Sequence, residues 1–370
     1  MQQGANMIGV RHMKSRAGSN VEPTFDKVAR VAGGSDKGDG ERAPVSIEDV
    51  ARRANVAPIT VSRAIRTPAK VSLEKRERIQ SAIEATGYRP DSIASALRSG
   101  RTNIVLGFVS NVFSQQFAIA IRGCAQVLEE SGFQFLIGET AYSYKRESAI
   151  ISDLQQLKPA AVFFSGVIEL EENRERLRKL NIPIMETWAY PRDPIDLLVG
   201  ISNTDGGAMA ARHLAERGCQ RVAFIGRGGG RGALRYEGFA AECTRLGLKI
   251  EQKIICNEVH GIEDGRRAFT ELLPRMKDIE AVFCANDLIA SGVFLAARDK
   301  GLRIPDDFAL IGFGDNDLAA AVTPGITTIG FDSEALGRHA GNMLLASLRG
   351  EVLDRKMRCM DLSINLRGST

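Results

Sequence analysis

Short apolar runs and amphipathic stretches alternate along most of the chain. Residues 104–109, 134–138, 161–165, 182–186, 222–226, 281–284 and 309–313 read as buried strands. Each is followed by a loop and a helical pattern, the first of them a helix at about 117–130. Apolar strands alternating with helices of about 10–15 residues are covered on both faces, which predicts parallel sheets wrapped by helices. The stretch 104–370 is long for one doubly wound sheet and comfortable for two.

Ahead of this rhythm, residues 45–88 follow a different one. Ser46 and Asp49 have the spacing of a capping box, opening a short helix with Ile47, Val50 and Ala51 on one face. Asn55-Val56-Ala57 breaks the period. Pro58 suits the first position of a second helix, which runs to about Arg66 and ends at Thr67-Pro68. Ser72 is placed to cap a third helix over 73–86, with Ile79, Ala82 and Ile83 inward and Gly87 as its stop. Three short helices, the first two joined by a tight turn, predict a helix-turn-helix.

Residues 89–100 form a short amphipathic stretch too small to be stable alone, and read as a hinge that becomes helical only in company. Residues 1–44 are rich in Gly, Ser and mixed charge without any period, and are expected to be a disordered tail.

Charge separates the regions further. Residues 45–103 hold eleven Lys/Arg against six acids, and residues 1–44 seven against five, on a chain whose net charge is only +4. The rest is therefore faintly acidic. A basic N-terminal segment on such a body is the footprint of nucleic-acid binding; a merely solvated charged face is the plainer alternative. Hydrophobic residues at 44% and charged residues at 25% give an ordinary globular balance. No run approaches the roughly 18 apolar residues of a membrane span. Arg11, Lys14 and Arg16 precede no apolar stretch of the kind a secretory signal needs. The six cysteines lie far apart, as reduced thiols of a cytoplasmic protein would.

Enzymatic signals are weak. His12, His213, His260 and His339 are isolated, and no phosphate-loop, nucleophile-elbow or zinc-helix motif occurs. The glycine run 226–232 fits a relaxed dinucleotide fingerprint, yet it carries two arginines and lies mid-domain, so it reads as a ligand loop. Neither a metal nor a cofactor is expected.

Several segments carry a resemblance. Val45-Ser-Ile-Glu-Asp-Val-Ala-Arg-Arg-Ala-Asn-Val56, Thr60-Val-Ser-Arg63, Val71-Ser72, Gly87-Tyr88-Arg-Pro90, Ala285-Asn-Asp287 and Ile304-Pro-Asp-Asp307 occur in this order. From about Val45 to its end the chain thereby resembles the lactose/galactose-repressor family of transcriptional regulators. Asp196-Leu-Leu-Val-Gly200 with Asn203, and Gly312-Phe-Gly-Asp315, look most like the gluconate-utilisation repressor branch. The resemblance implies a helix-turn-helix headpiece (45–90), a hinge helix (91–103) and a core like periplasmic binding proteins (104–370). That core would have two doubly wound lobes, 104–203 with 331–355 and 204–330 with 356–370. It also implies a homodimer on double-stranded operator DNA, controlled by a small sugar or sugar acid, gluconate in the finer reading.

A recognition helix needs small or apolar residues at its start to reach base edges and cations to hold phosphates. Pro58, Ile59, Thr60, Ser62, Arg63 and Arg66 fill that description, with Ser46, Ser72 and Tyr88 as flanking contacts. Leu97 matches the family's leucine that wedges into the minor groove. Family members usually carry Ser or Thr where this chain has Ala57, which removes a helix cap worth about 1 kcal/mol. For the effector, Ser110, Asn111 and Phe113 end the first strand, and Glu186 and Trp188 a later one. Arg235 matches the family arginine that holds effector hydroxyls or carboxylates, and Asp287 and Asp315 follow two further strands. Open α/β sheets bind ligands at such strand ends. Where many members have an Asp, this chain has Gly314. A sugar-binding protein without regulatory function and a sugar-processing enzyme are the rival readings. The headpiece argues against the first, and the missing catalytic motifs against the second.

Overall fold

The computed structural model describes residues 45–88, 102–257, 259 and 261–370. The expected tail and most of the hinge, Leu97 included, lie outside the described residues. Those that are described fall into two compact units, 45–88 and 102–370.

The first unit is three helices. Helix α1 (Ile47–Ala54) opens on the capping box: Asp49 N donates to Ser46 Oγ, and Ser46 N donates to the Asp49 carboxylate. It stops at Asn55, whose left-handed backbone (φ 50°) turns the chain. Helix α2 (Pro58–Arg66) follows with Pro in its first turn, and α3 (Leu73–Thr86) ends at Gly87 in the left-handed region. Val50, Ala51, Ala54, Val61, Ile79 and Ala82 make the core. Arg78 of α3 donates to the Ala54 and Asn55 carbonyls, tying the third helix to the turn between the first two.

The second unit is two sheets of six strands each. In the first lobe β1 (Ile104–Val109), β2 (Gln134–Glu139), β3 (Ala161–Phe164), β4 (Ile184–Thr187) and β5 (Leu197–Gly200) are parallel, in the order 5-4-3-1-2. Helices α4 (Gln115–Glu129), α5 (Tyr144–Leu157) and α6 (Glu171–Lys179) connect them. Strands β3, β4 and β5 are buried at every position, as strands covered on both faces must be.

The second lobe repeats the plan. It contains α7 (Asn203–Glu216), β6 (Arg221–Arg227), α8 (Gly230–Leu246), β7 (Lys249–Cys256), α9 (Ile262–Leu272), β8 (Ala281–Cys284), α10 (Asp287–Asp299), β9 (Ala309–Phe313), α11 (Asp317–Ala321) and β10 (Thr327–Gly330). Its sheet runs 10-9-8-6-7, with one antiparallel edge strand beside β10. Helices α7 and α8 cross so closely that a Cβ at Gly238 would run into the Thr204 carbonyl, and one at Gly207 into the Arg235 carbonyl. Only glycine permits that approach.

The chain passes between lobes three times. After β5 it enters the second lobe at α7. After β10 it returns through α12 (Ser333–Leu348), which packs on α4. Strand β11 (Met357–Cys359) then pairs with β5, and β12 (Ser363–Asn365) with β10. The last crossing thus falls between Cys359 and Ser363, not at 355/356 as expected: 357–359 completes the first sheet. Strands β5, β7, β10, β11 and β12 were not foreseen.

Candidate functional site

In the helical unit the start of α2 is presented outward. Pro58, Ile59 and Arg63 are exposed, Thr60 and Ser62 are half-buried, and Val61 between them is fully buried. An isoleucine left 63% exposed on a small domain offers apolar contact and no hydrogen bond. Ala57 makes no side-chain cap, so the first amides of α2 lack a hydroxyl partner there. The Ser46 hydroxyl is engaged by Asp49, whose carboxyl these bonds, together with Arg52, hold below the usual carboxylate range. Ser72 is exposed and makes no cap bond, and Tyr88 packs partly against the core.

In the second unit both sheets reverse strand order beside their first strand, β1 between β2 and β3, and β6 between β7 and β8. A crevice opens at the carboxyl ends of strands where the order reverses. The two crevices face one another across a cavity of about 400 Å³. Of the expected effector residues, Ser110, Asn111, Trp188, Arg235 and Asp287 line it.

Three expected residues do not. The Glu186 carboxylate is wholly buried beneath the loops, accepting from Ile168 N (2.8 Å) and Ile195 N (2.7 Å), with Arg174 at 3.5 Å. It fastens two connections of the first lobe and has no access to the cleft. Asp315 is paired with Arg367 at 2.5 Å, and Phe113 points to solvent, 81% exposed.

Arg235 is the most enclosed cation of the cleft. Its Nε donates to Asn203 Oδ1 (2.9 Å), one terminal nitrogen donates to the Ala285 carbonyl, and the guanidinium lies 3.5 Å from the Phe313 ring centre. Asn203 in turn donates to the Trp188 carbonyl at 2.7 Å. One chain of bonds thus runs from the second lobe through the crossing into the first. Burial, and next the Arg231 charge, push the Arg235 pKa down to about 9. On the same lobe, Asp287 accepts from Asn316 N (2.9 Å) and Thr328 Oγ1 (2.7 Å). Burial outweighs those two bonds and pushes its carboxyl up to about 6.

Trp188, with φ 63°, is enclosed edge-on by Phe117 and Phe331, and forms an aromatic floor more than an open platform. Two further arginines line the cavity, both from the 226–232 run that reads in the sequence as a ligand loop. Arg227 stacks on Tyr142 of the first lobe (4.3 Å), and Arg231 donates to the Ser165 carbonyl (2.9 Å) beside Phe117. Arg231 and Arg235, four apart, share one face at the start of α8, while Arg227 ends β6. Glu147 and Glu169 line the opposite wall, where burial raises the Glu147 carboxyl.

The chain thus combines a helix-turn-helix unit with a two-lobed core whose interlobe cleft is charged. Residues 46–91 match the model of bacterial regulatory proteins of the lacI family, and residues 211–370 that of a periplasmic binding protein-like domain. The HTH-type transcriptional regulator GntR of Pseudomonas aeruginosa is 30% identical over 331 residues, 88% of this chain and 95% of that one. A LacI-family regulator from Silicibacter pomeroyi superposes with a TM-score of 0.78 at 28% identity, covering 88% and 99% of the two chains. The lac repressor dimer bound to operator and the anti-inducer ONPF shares the fold, with a TM-score of 0.76 at 20% identity over 88% and 99%. The chain belongs to the LacI family of DNA-binding transcriptional regulators. Its relatives are regulators and not enzymes. No helix among the described residues is long and apolar enough to cross a membrane.

Proposed function

We propose that this regulator is a homodimeric cytoplasmic repressor whose operator affinity is set by a sugar acid held between the lobes, gluconate being the first compound to test. The buried Arg235, lining with Asp287 a cavity of about 400 Å³ and bonded through Asn203 to the first lobe, carries the reading. Charge-assisted bonds from a guanidinium favour a carboxylate, and the two-lobe link lets its binding bias lobe geometry. The 30% identity to a GntR regulator supports the gluconate branch. On DNA, Pro58 and Ile59 read shape and thymine methyls, while Thr60, Ser62, Arg63 and Arg66 meet bases and backbone. Ser46, Ser72 and Tyr88 flank them, and Leu97 wedges into the minor groove.

The test is binding of the purified protein to DNA upstream of its own gene, with gluconate and glucose titrated separately. A specific complex whose affinity changes with gluconate and not with glucose is the expected result. A complex indifferent to both, or responsive only to glucose, overturns the sugar-acid reading.

A further inference from the structure

Three guanidiniums, Arg227, Arg231 and Arg235, follow one another along the end of β6 and the first two turns of α8 and line a single cavity. Their direct partners are neutral: the Tyr142, Phe117 and Phe313 rings, the Ser165 and Ala285 carbonyls, and Asn203. Burial lowers the pKa of Arg231 and Arg235, and each is lowered again by the arginine before it. Enclosed charges of one sign persist when a counter-charge completes the site.

The nearby acids act on this row only through space, Glu169 on Arg231 and Asp287 on Arg235, and spend their direct bonds on neutral donors. Glu169 accepts from the Tyr144 hydroxyl, Glu147 from Asn173 Nδ2 (2.9 Å), and Asp287 from Thr328 and Asn316. One ligand carboxylate at Arg235 would leave Arg227 and Arg231 without a directly bonded counter-charge. Two further observations point to an anion beside those two. The buried Arg227 Nε has no hydrogen-bond partner. The N-terminus of the 17-residue helix α8 also opens into the cavity at Gly229 and Gly230, with no side-chain cap on its amides.

We propose that the effector is a sugar acid with two acidic groups, the first at Arg235 and the second on Arg227, Arg231 and the α8 amides. This rests on the reading of the cleft as a sugar-acid site and names the class of acid. A second carboxylate and a phosphate ester share the required chemistry.

Calorimetric titration of the full chain with gluconate, glucarate, gluconate 6-phosphate and glucose tests it. At least one of the two diacids is expected to bind about tenfold or more tightly than gluconate, the scale of one added charge-assisted contact. Which of the two it is distinguishes carboxylate from phosphate. In Arg231→Gln that ratio is expected to fall to within about threefold. Gluconate matching or exceeding both diacids in the unaltered protein overturns the second subsite while leaving the sugar-acid reading in place. Glucose bound in preference to every acid overturns that reading itself. Loss of gluconate and diacid in equal proportion in Arg231→Gln overturns the division into two subsites.

Discussion

The two units of this regulator use positive charge in opposite ways. In the helical unit Arg52, Arg53, Arg63, Lys70 and Lys75 stand in solvent. In the two-lobed unit Arg227, Arg231 and Arg235 are turned into a cleft and packed on aromatic faces. Solvated cations act collectively on a polyanion and are screened by salt. Enclosed cations act singly, through geometry, and each is felt by its neighbours. The first kind shows up in net charge. The second is invisible there, because the body that carries it is faintly acidic.

Salt gives the largest contrast. If the helical units of a dimer neutralise about six to ten phosphates, operator affinity should fall by roughly 10³–10⁵ between 50 and 200 mM salt. Effector affinity, set by enclosed charges, should fall far less, by about tenfold at most. Parallel titrations of operator and gluconate across that range measure both, and equal slopes would erase the distinction.

Arg235→Ala follows. Removing a guanidinium that meets a carboxylate out of solvent should cost about 2–5 kcal/mol of effector affinity, with the response of operator binding to effector lost in step. Calorimetry and operator binding with and without gluconate would show it. An unchanged response would mean that Arg235 only braces Asn203 and the Ala285 carbonyl.

A smaller effect concerns Asp287. Its carboxyl is raised, so the protonated form is favoured in the folded unit. The associated stability is complete below the unfolded value near 4 and is lost as pH rises through 6, by up to about 3 kcal/mol. Thermal unfolding at pH 4 to 7, compared with Asp287→Asn, should show the wild type losing ground to the variant as pH rises. A constant difference would mean that the bonds from Asn316 and Thr328 balance burial.

The smallest prediction returns to the helical unit. Ala57→Ser supplies the hydroxyl that the start of α2 lacks, and should stabilise the unit by about 1 kcal/mol. Denaturant unfolding followed by helix content would register it. No gain would mean that the α2 amides are already satisfied by water.

What the sequence disclosed follows the range of the forces involved. The three helices could be read nearly to the residue, because a capping box, a proline and a terminal glycine act within a turn or two of themselves. Five effector residues could be placed at one cavity because strand ends mark it. Glu186 could not be excluded, since nothing local announces that the Ile168 and Ile195 amides fold over its carboxylate. Arg227 and Arg231 were hidden in a glycine run that looks like flexible loop, whereas helix α8 begins inside it at Gly230. Strand β7 was missed because it is an edge strand with Lys249, Glu251 and Lys253 in it, and β11 and β12 because three residues carry no period.

The interleaved path of the chain has a consequence for the order of assembly on the ribosome. Everything from α7 to β10 is one continuous insertion between β5 and α12. When β5 has emerged, the face of α4 that α12 will cover is still bare, and the β5 edge still lacks β11. The later lobe, which then needs only its short antiparallel edge strand, has nearly its whole sheet before α12 is made. The lobe that is synthesised first is therefore sealed last, and its exposed apolar helix face is the surface a nascent-chain chaperone would meet.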